Sequence, residues 1–229
     1  LAWLLSLQNE DGGWPTFCRG WGTLPFDRSA PDLTAHAIRA IFAWKNRADI
    51  SAEVRREADE SIAKGLAHLE KTQQADGSWT PLWFGNEHVA DEENPVFGTA
   101  RVLLAYRDMG LAESAVAQKG YDFLCRVQQE DGGWSGGDIK SARSSTEETA
   151  VALEALLAGP RDEETLADAI EAGFEWLFEA TDCQRHRETA PIGLYFAKLW
   201  YYEKLYPQIF TVSALGRALR RFAVPTSGS

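Results

Sequence analysis

Sulfur is scarce in this 229-residue chain, which has three cysteines and one methionine. Cys18, Cys125 and Cys183 are odd in number and far apart, so neither a disulfide framework nor a zinc knuckle is suggested, and a reducing, cytoplasmic setting follows. Long apolar runs are missing as well. None approaches the ~20 residues that a membrane-spanning helix needs, which leaves only a peripheral, monotopic contact with a bilayer open. Basic residues are outnumbered, with 23 Lys and Arg against 34 Asp and Glu for a net charge of −11. They are also dispersed, which argues against a nucleic-acid partner. No ligand spacing suggests a metal, and no cofactor is expected.

What the chain does have is repetition. Lys64–Trp79 and Lys119–Trp134 are one pattern written twice, with a Lys-Gly start, a Gln-Gln pair and an Asp-Gly-Ser-Trp or Asp-Gly-Gly-Trp end. A third copy opens the chain, where Gln8 to Trp14 keeps the spacing of Gln73 to Trp79 and of Gln128 to Trp134. Its Lys-Gly start would fall before residue 1, so the chain reads as beginning inside a repeat, as the C-terminal part of something longer. A fourth copy starts at Gly173-Phe174-Glu175-Trp176-Leu177 and then degenerates to Thr181-Asp182-Cys183-Gln184, as end repeats that cap an array do.

Each copy predicts a helix with apolar positions every three or four residues, closed by an Asp-Gly turn. Gln73 and Gln128 fall in the last turn, where an amide can bond loose carbonyls or the next helix, and the following Trp lays an apolar ring over the junction. A second, more apolar helix follows each Trp: Asp32 to Lys45, Val96 to Asp108, Thr146 to Leu157, and Gly193 to about Phe222 with a break at Pro207. Small residues such as Thr34-Ala35 and Thr149-Ala150 allow close packing on both sides. Polar outer helices alternating with apolar inner ones describe an all-α fold, an α/α toroid. Residues 1–222 should form a partial ring of about four hairpins and 223–229 a tail, with no strand expected.

The Gln-x(3-5)-Gly-x-Trp repeats, Pro31-Asp32-Leu33-Thr34-Ala35-His36, Phe97-Gly98-Thr99-Ala100 and the ending from Tyr195-Phe196 to Tyr202 and Pro207 resemble the C-terminal part of squalene-hopene cyclases, of the triterpene cyclase superfamily. The resemblance implies a proton-initiated cationic cyclisation of a linear, apolar isoprenoid such as squalene, without a cofactor. The acid of that chemistry belongs to an Asp-x-Asp-Asp motif, which occurs nowhere in this chain. The resemblance puts it one repeat upstream, so the chain alone is expected to be inactive. What remains is support for the donor. Asp32 and His36 are four apart, so they share a helix face and can pair; in the family the matching His bonds the acid, and an imidazolium there strengthens it. The alternative is that Asp32 complements the helix N-terminus and His36 is a satisfied core residue.

By the same resemblance, Trp83 matches a cavity tryptophan, and Phe97 stands where a tyrosine is usual and has no hydroxyl to orient the acid. Tyr195, with Phe196 beside it, takes the place of a phenylalanine facing late cations, and Pro191 replaces another aromatic. Phe17 and Cys18 resemble a pair at the substrate-channel constriction. Each of these aromatics can equally be core packing. The apolar segment Phe17 to Phe26 is the candidate for membrane or substrate access. Two rivals share the fold class: a non-catalytic isoprenoid-binding or interaction scaffold, and a protein prenyltransferase β-subunit, which needs a zinc site. Cutting a ring also leaves apolar faces near Trp3 and the helix Asp32 to Lys45, which should be either paired with another copy of the chain or unusually exposed and mobile.

Overall fold

The computed structural model describes residues 1–16, 27–89, 91–137, 143–160, 164–190, 192–194 and 199–222. Their helices are α1 (Ala2–Ser6), α2 (Pro31–Lys45), α3 (Ala52–Thr72), α4 (Pro95–Asp108), α5 (Ala115–Arg126), α6 (Thr146–Leu156), α7 (Glu164–Asp182) and α8 (Tyr206–Phe222). They fall into two layers. α2, α4, α6 and α8 pack in succession against one another, while α1, α3, α5 and α7 lie outside them, giving the four hairpins of an all-α toroid fold.

The layering follows from which faces are apolar. Outer helix α3 buries Ala58, Ser61, Ile62, Gly65, His68 and Leu69, a stripe at helical spacing, and shows Glu and Arg elsewhere. Inner helix α6 is buried along its whole length because neighbours cover both sides. The start signals act as the sequence suggests. Pro31 and Pro95 occupy the first helical turn, where a missing N–H costs nothing. Ser51, Asn94, Ser114 and Ser145 accept from the amides of Val54, Phe97, Ala117 and Glu148 as N-caps.

The three complete repeats superpose in chemistry. The amides of Trp14, Trp79 and Trp134 donate to the hydroxyls of Thr34, Thr99 and Thr149 at 3.0, 3.0 and 2.9 Å. Their indole N–H groups donate to the carbonyls of Leu4, Leu69 and Leu124. Gln8, Gln73 and Gln128 each donate twice, to the carbonyl of Gly12, Gly77 or Gly132 in their own turn and to that of Ser61, Val116 or Ala169 in the next outer helix. The glycine that opens each later copy, after Lys64, Lys119 and Ala172, is the seat for the preceding tryptophan. A Cβ on Gly65, Gly120 or Gly173 would lie 2.9, 3.1 or 2.7 Å from the Cζ3 of Trp14, Trp79 or Trp134.

The region after residue 190 departs from expectation. No helix starts at Gly193; instead β2 (Ile192–Leu194) pairs antiparallel with β1 (Phe84–Asn86) on one side and β3 (Leu199–Tyr201) on the other. Gly85 and Gly193 face each other in the register, and the Leu199-Trp200-Tyr201 segment has the bulky and aromatic composition that strands favour. Pro207 does not break a helix. It lies in the first turn of α8, where its missing N–H is harmless. This sheet ties the loop after Trp79 to the loop before α8.

Candidate functional site

Asp32 stands in the first turn of α2 and is 1% exposed. Its carboxylate is bonded by the amides of Asp32 and Leu33, yet Oδ1 is buried without a hydrogen-bond partner. Burial pushes its pKa up to about 6, against the pull of those amides and of the Arg101 guanidinium. One turn on, His36 reaches solvent but is crowded by protein. That crowding, with the positive charges of Arg101 and Arg39, pushes its pKa down to about 4. His36 is therefore neutral at pH 7. No hydrogen bond or ion pair joins it to Asp32 in this chain, where the shared helix face suggested a pair with a charged imidazole.

Both residues feel the positive charge of Arg101. Arg101 of α4 lies with its guanidinium carbon 4.9 Å from the ring centres of both Phe97 and Phe210, held between α4 and α8. Its Nη1 is 3.7 Å from Glu154 Oε2, and Glu154 Oε1 accepts from Arg217 at 3.0 Å. Nε of Arg101 is buried and unpartnered. Arg39 bonds Asp108 at 2.7 Å, tying α2 to α4. Thus Arg101, Glu154 and Arg217 join α4, α6 and α8 in one buried charge network, and the half-buried Arg39–Asp108 pair joins α2 to α4.

A second acidic group opens α6. Glu148 Oε1 accepts from both Asn86 and Asn94, at 3.0 Å each, and its other oxygen from Ser145. Burial raises its pKa despite these bonds. Glu147 is 2% exposed, accepts from the Ala190 amide at 2.8 Å and leaves Oε2 unpartnered. Burial first, then the neighbouring Glu148 charge, pushes its pKa up to about 7. Beside them a polar cavity of about 120 Å³ is lined by Asn86, His88, Ser135, Thr146 and Arg185 among others. Glu188 pairs with Arg143 at 3.3 Å and approaches Arg185 at 3.9 Å, which offsets the cavity's positive charge.

Of the residues singled out in the sequence, Asp32 and His36 lie one turn apart on α2 within the field of Arg101, whose guanidinium packs on the Phe97 ring. Trp83 is buried just before β1, whose Phe84 ring packs 5.1 Å from that of Phe97. Phe17, Cys18, Tyr195, Phe196 and Pro191 lie outside the described residues. Sequence reasoning missed Arg101, Glu154, Glu147 and Glu148. A signal existed: Arg101 and Glu154 are lone charges within apolar inner helices, between Val96 and Tyr106 and between Val151 and Leu157. Among the described residues, no three His, Cys, Asp or Glu side chains converge as a metal site, and no helix is long and apolar enough to cross a membrane.

Comparison with known proteins bears on this geometry. The family model of the squalene-hopene cyclase C-terminal domain matches residues 1–220. A squalene–hopene cyclase of Bradyrhizobium diazoefficiens is 27% identical over 90% of the chain and 32% of its own length. Enfumafungin synthase of Hormonema carpetanum is 29% identical over 87% of the chain and 16% of its own length, and drimenyl diphosphate synthase of Streptomyces showdoensis is 31% identical over 70% and 26%. The chain thus spans a third or less of these relatives. In fold it is similar to a type II terpene cyclase from Scytonema, with a TM-score of 0.63 at 14% identity, covering 95% of this chain and 66% of that one. A variant of that cyclase was solved with geranylgeranyl dihydroxybenzoate.

Proposed function

The chain belongs to the squalene-hopene cyclase C-terminal domain family, and from that premise we propose that it forms the inner-helix wall of a terpene cyclase that acts by proton-initiated cyclisation of a linear isoprenoid such as squalene. A carboxylic acid gives its proton to a terminal carbon–carbon double bond and becomes a carboxylate. The positive charge left on carbon is attacked by successive double bonds of the same molecule. Loss of a proton or capture of water ends the sequence. Aromatic faces along the path stabilise the cation by about 0.5–2 kcal/mol per ring.

The observation that supports this reading is a buried Asp32 with His36 one turn on at the start of α2, while Arg101 of the neighbouring inner helix packs on the Phe97 ring. In this reading Asp32 and His36 support the proton donor at the start of α2, the position that the family resemblance gives to that support. The donor itself has no Asp-x-Asp-Asp in this chain, so in this reading the acid comes from polypeptide upstream. The substrate would reach the site from a membrane surface by peripheral contact; the segment 17–26, the sequence's candidate for that access, lies outside the described residues.

One observation favours the rival scaffold reading: Phe97 offers no hydroxyl where the family resemblance expects a tyrosine. Incubation with squalene and with shorter polyprenyl substrates, followed by gas chromatography, separates the two. The chain alone should give no cyclic product, and the polypeptide extended upstream through an Asp-x-Asp-Asp repeat should give one that His36→Ala largely abolishes. Cyclic product from the chain alone would refute the missing-donor argument. An extended polypeptide that retains isoprenoids but never converts them would establish the scaffold.

A further inference from the structure

The hydrogen bond that closes each repeat turn also fixes a common register for the inner helices. The amides of Trp14, Trp79 and Trp134 donate to Thr34, Thr99 and Thr149, so the positions two residues before those threonines correspond: Asp32 on α2, Phe97 on α4 and Glu147 on α6. All three are buried, at 1%, 7% and 2% exposure. Asp32 and Phe97 are site positions in the cyclase reading; Glu147 is a carboxyl that no other part of the reaction uses. We propose that Glu147 is the base that ends the cyclisation, accepting on Oε2 the proton that the last cation loses. This rests on the cyclase reading and adds to it the group that completes the reaction.

Helix-end chemistry does not account for this side chain. The cap of α6 is Ser145, and the reciprocal partner of that cap is Glu148, whose oxygens are taken by Ser145, Asn86 and Asn94. Glu147 Oε1 accepts from the Ala190 amide at 2.8 Å, while Oε2 is buried with no hydrogen-bond partner. A bare buried oxygen costs stability, and such groups concentrate where chemistry is done. The amide that holds Oε1 lies two residues before β2, β2 pairs with β1, and the Phe84 ring of β1 lies 5.1 Å from that of Phe97. One sheet thus links Glu147 to the aromatic at the same register position. Its pKa, raised to about 7 by burial and then by the Glu148 charge, suits a group that takes a proton and gives it up again.

In the proposed step a C–H bond beside the cationic carbon breaks and its electron pair becomes the second bond of an alkene. The proton joins Oε2 and leaves a neutral carboxylic acid. Thr146, the residue before Glu147, and Ala190, which holds its Oε1, both line the polar cavity of about 120 Å³. That cavity gives the proton a way out to water.

The test uses the polypeptide extended upstream through an Asp-x-Asp-Asp repeat, incubated with squalene and with shorter polyprenyl substrates. Gas chromatography reads the ratio of cyclic product that ends in an alkene to cyclic product that ends in an alcohol. The unmodified polypeptide should give mainly alkene. Glu147→Gln keeps the shape and the Ala190 bond but cannot take a proton, so the ratio should fall about 100-fold or more. Glu147→Asp keeps the base but draws it back by one methylene, and its ratio should lie between the two. A Glu147 that only supports the fold would lower total product in Glu147→Gln and leave the ratio unmoved, which overturns the proposal, as does an unmodified polypeptide whose product ends only in an alcohol. If the glutamine variant does not fold, the aspartate variant decides: a ratio equal to the unmodified one overturns the role. Cyclic product with an unmoved ratio removes Glu147 from its role and leaves the cyclase reading standing. No cyclic product from the unmodified extended polypeptide removes both.

Discussion

A residue's cost of replacement is set here by what surrounds its backbone, and two glycines show the range. Gly77 has φ +93°, and a Cβ there would lie 2.2 Å from the Lys119 carbonyl oxygen; Gly110 has φ +72° with nothing near. Gly77→Ala combines strained backbone with a clash against main chain, so urea unfolding should show a loss of about 2–4 kcal/mol. Gly110→Ala carries the left-handed backbone strain alone, about 1 kcal/mol. Equal losses would mean that the repeat turn is not docked on the next outer helix. The buried carboxyl of Glu147 gives a second residue-scale expectation. Its folded pKa, about 7 against an ordinary 4.5, means that the folded state holds the proton more tightly. The contribution is fully present below pH ~4.5 and is lost as pH rises through ~7, about 3 kcal/mol over that window. Glu147→Gln, which imitates the protonated form and keeps the Ala190 bond, should flatten the fall in stability between pH 5 and 8. His36 acts with the opposite sign: its depressed pKa gives stability that is present above pH ~6.5 and lost as pH falls through ~4. An unchanged slope in Glu147→Gln would show that Glu147 is not the group titrating.

At the scale of elements, each repeat is held to its inner helix through one threonine hydroxyl. Thr99→Val keeps the shape of the side chain but leaves the buried Trp79 amide without its acceptor, for an expected loss of about 2–3 kcal/mol. Thr99→Ser keeps the oxygen and removes a methyl, for about 1 kcal/mol. Denaturant midpoints of the two variants check the order; a serine as costly as valine would assign the site to packing instead. The helices were the legible part of the sequence because their signals are local. Pro31, Pro95 and Ser145 mark starts to within a residue, and the Gln-to-Trp spacing marks three equivalent turns. The region from 192 to 205 misled because Leu199-Trp200-Tyr201 carries no periodicity that separates strand from helix, and its partner Phe84–Asn86 lies over a hundred residues away. The candidate site was half legible for the same reason. Asp32 and His36 share a helix face by spacing alone, but Arg101, Glu154 and Arg217 become one network only when three inner helices are side by side.

For the whole molecule, the two ends of the described array differ from its middle. Between them, Ile38, Ile41, Leu103 and Leu153 are fully buried, which limits how much of α2 remains to be covered. At one end Trp3, Phe42 and Trp44 are exposed. At the other, α8 shows Ile209, Val212, Leu219 and Phe222, and an apolar groove of about 520 Å³ runs between Phe174 and Phe178 of α7 and Leu215, Leu219 and Phe222 of α8. Contiguous apolar surface of this kind favours association in water, because each exposed large side chain regains about 1.5–3 kcal/mol on burial. Val212, at 68% exposure, is as open as Trp3 at 69%, so neither end has an evident claim over the other. An array that joins end to end would need both, a head-to-tail contact that propagates rather than closes. The isolated chain is therefore expected to show an apparent mass that rises with concentration in light scattering. Trp3→Glu and Val212→Glu should each reduce that rise, and the two together should do no more than either alone, since blocking one face of a head-to-tail contact already blocks the contact. Additive effects would indicate two separate like-with-like contacts, and a concentration-independent monomer would show that these faces tolerate water as they stand.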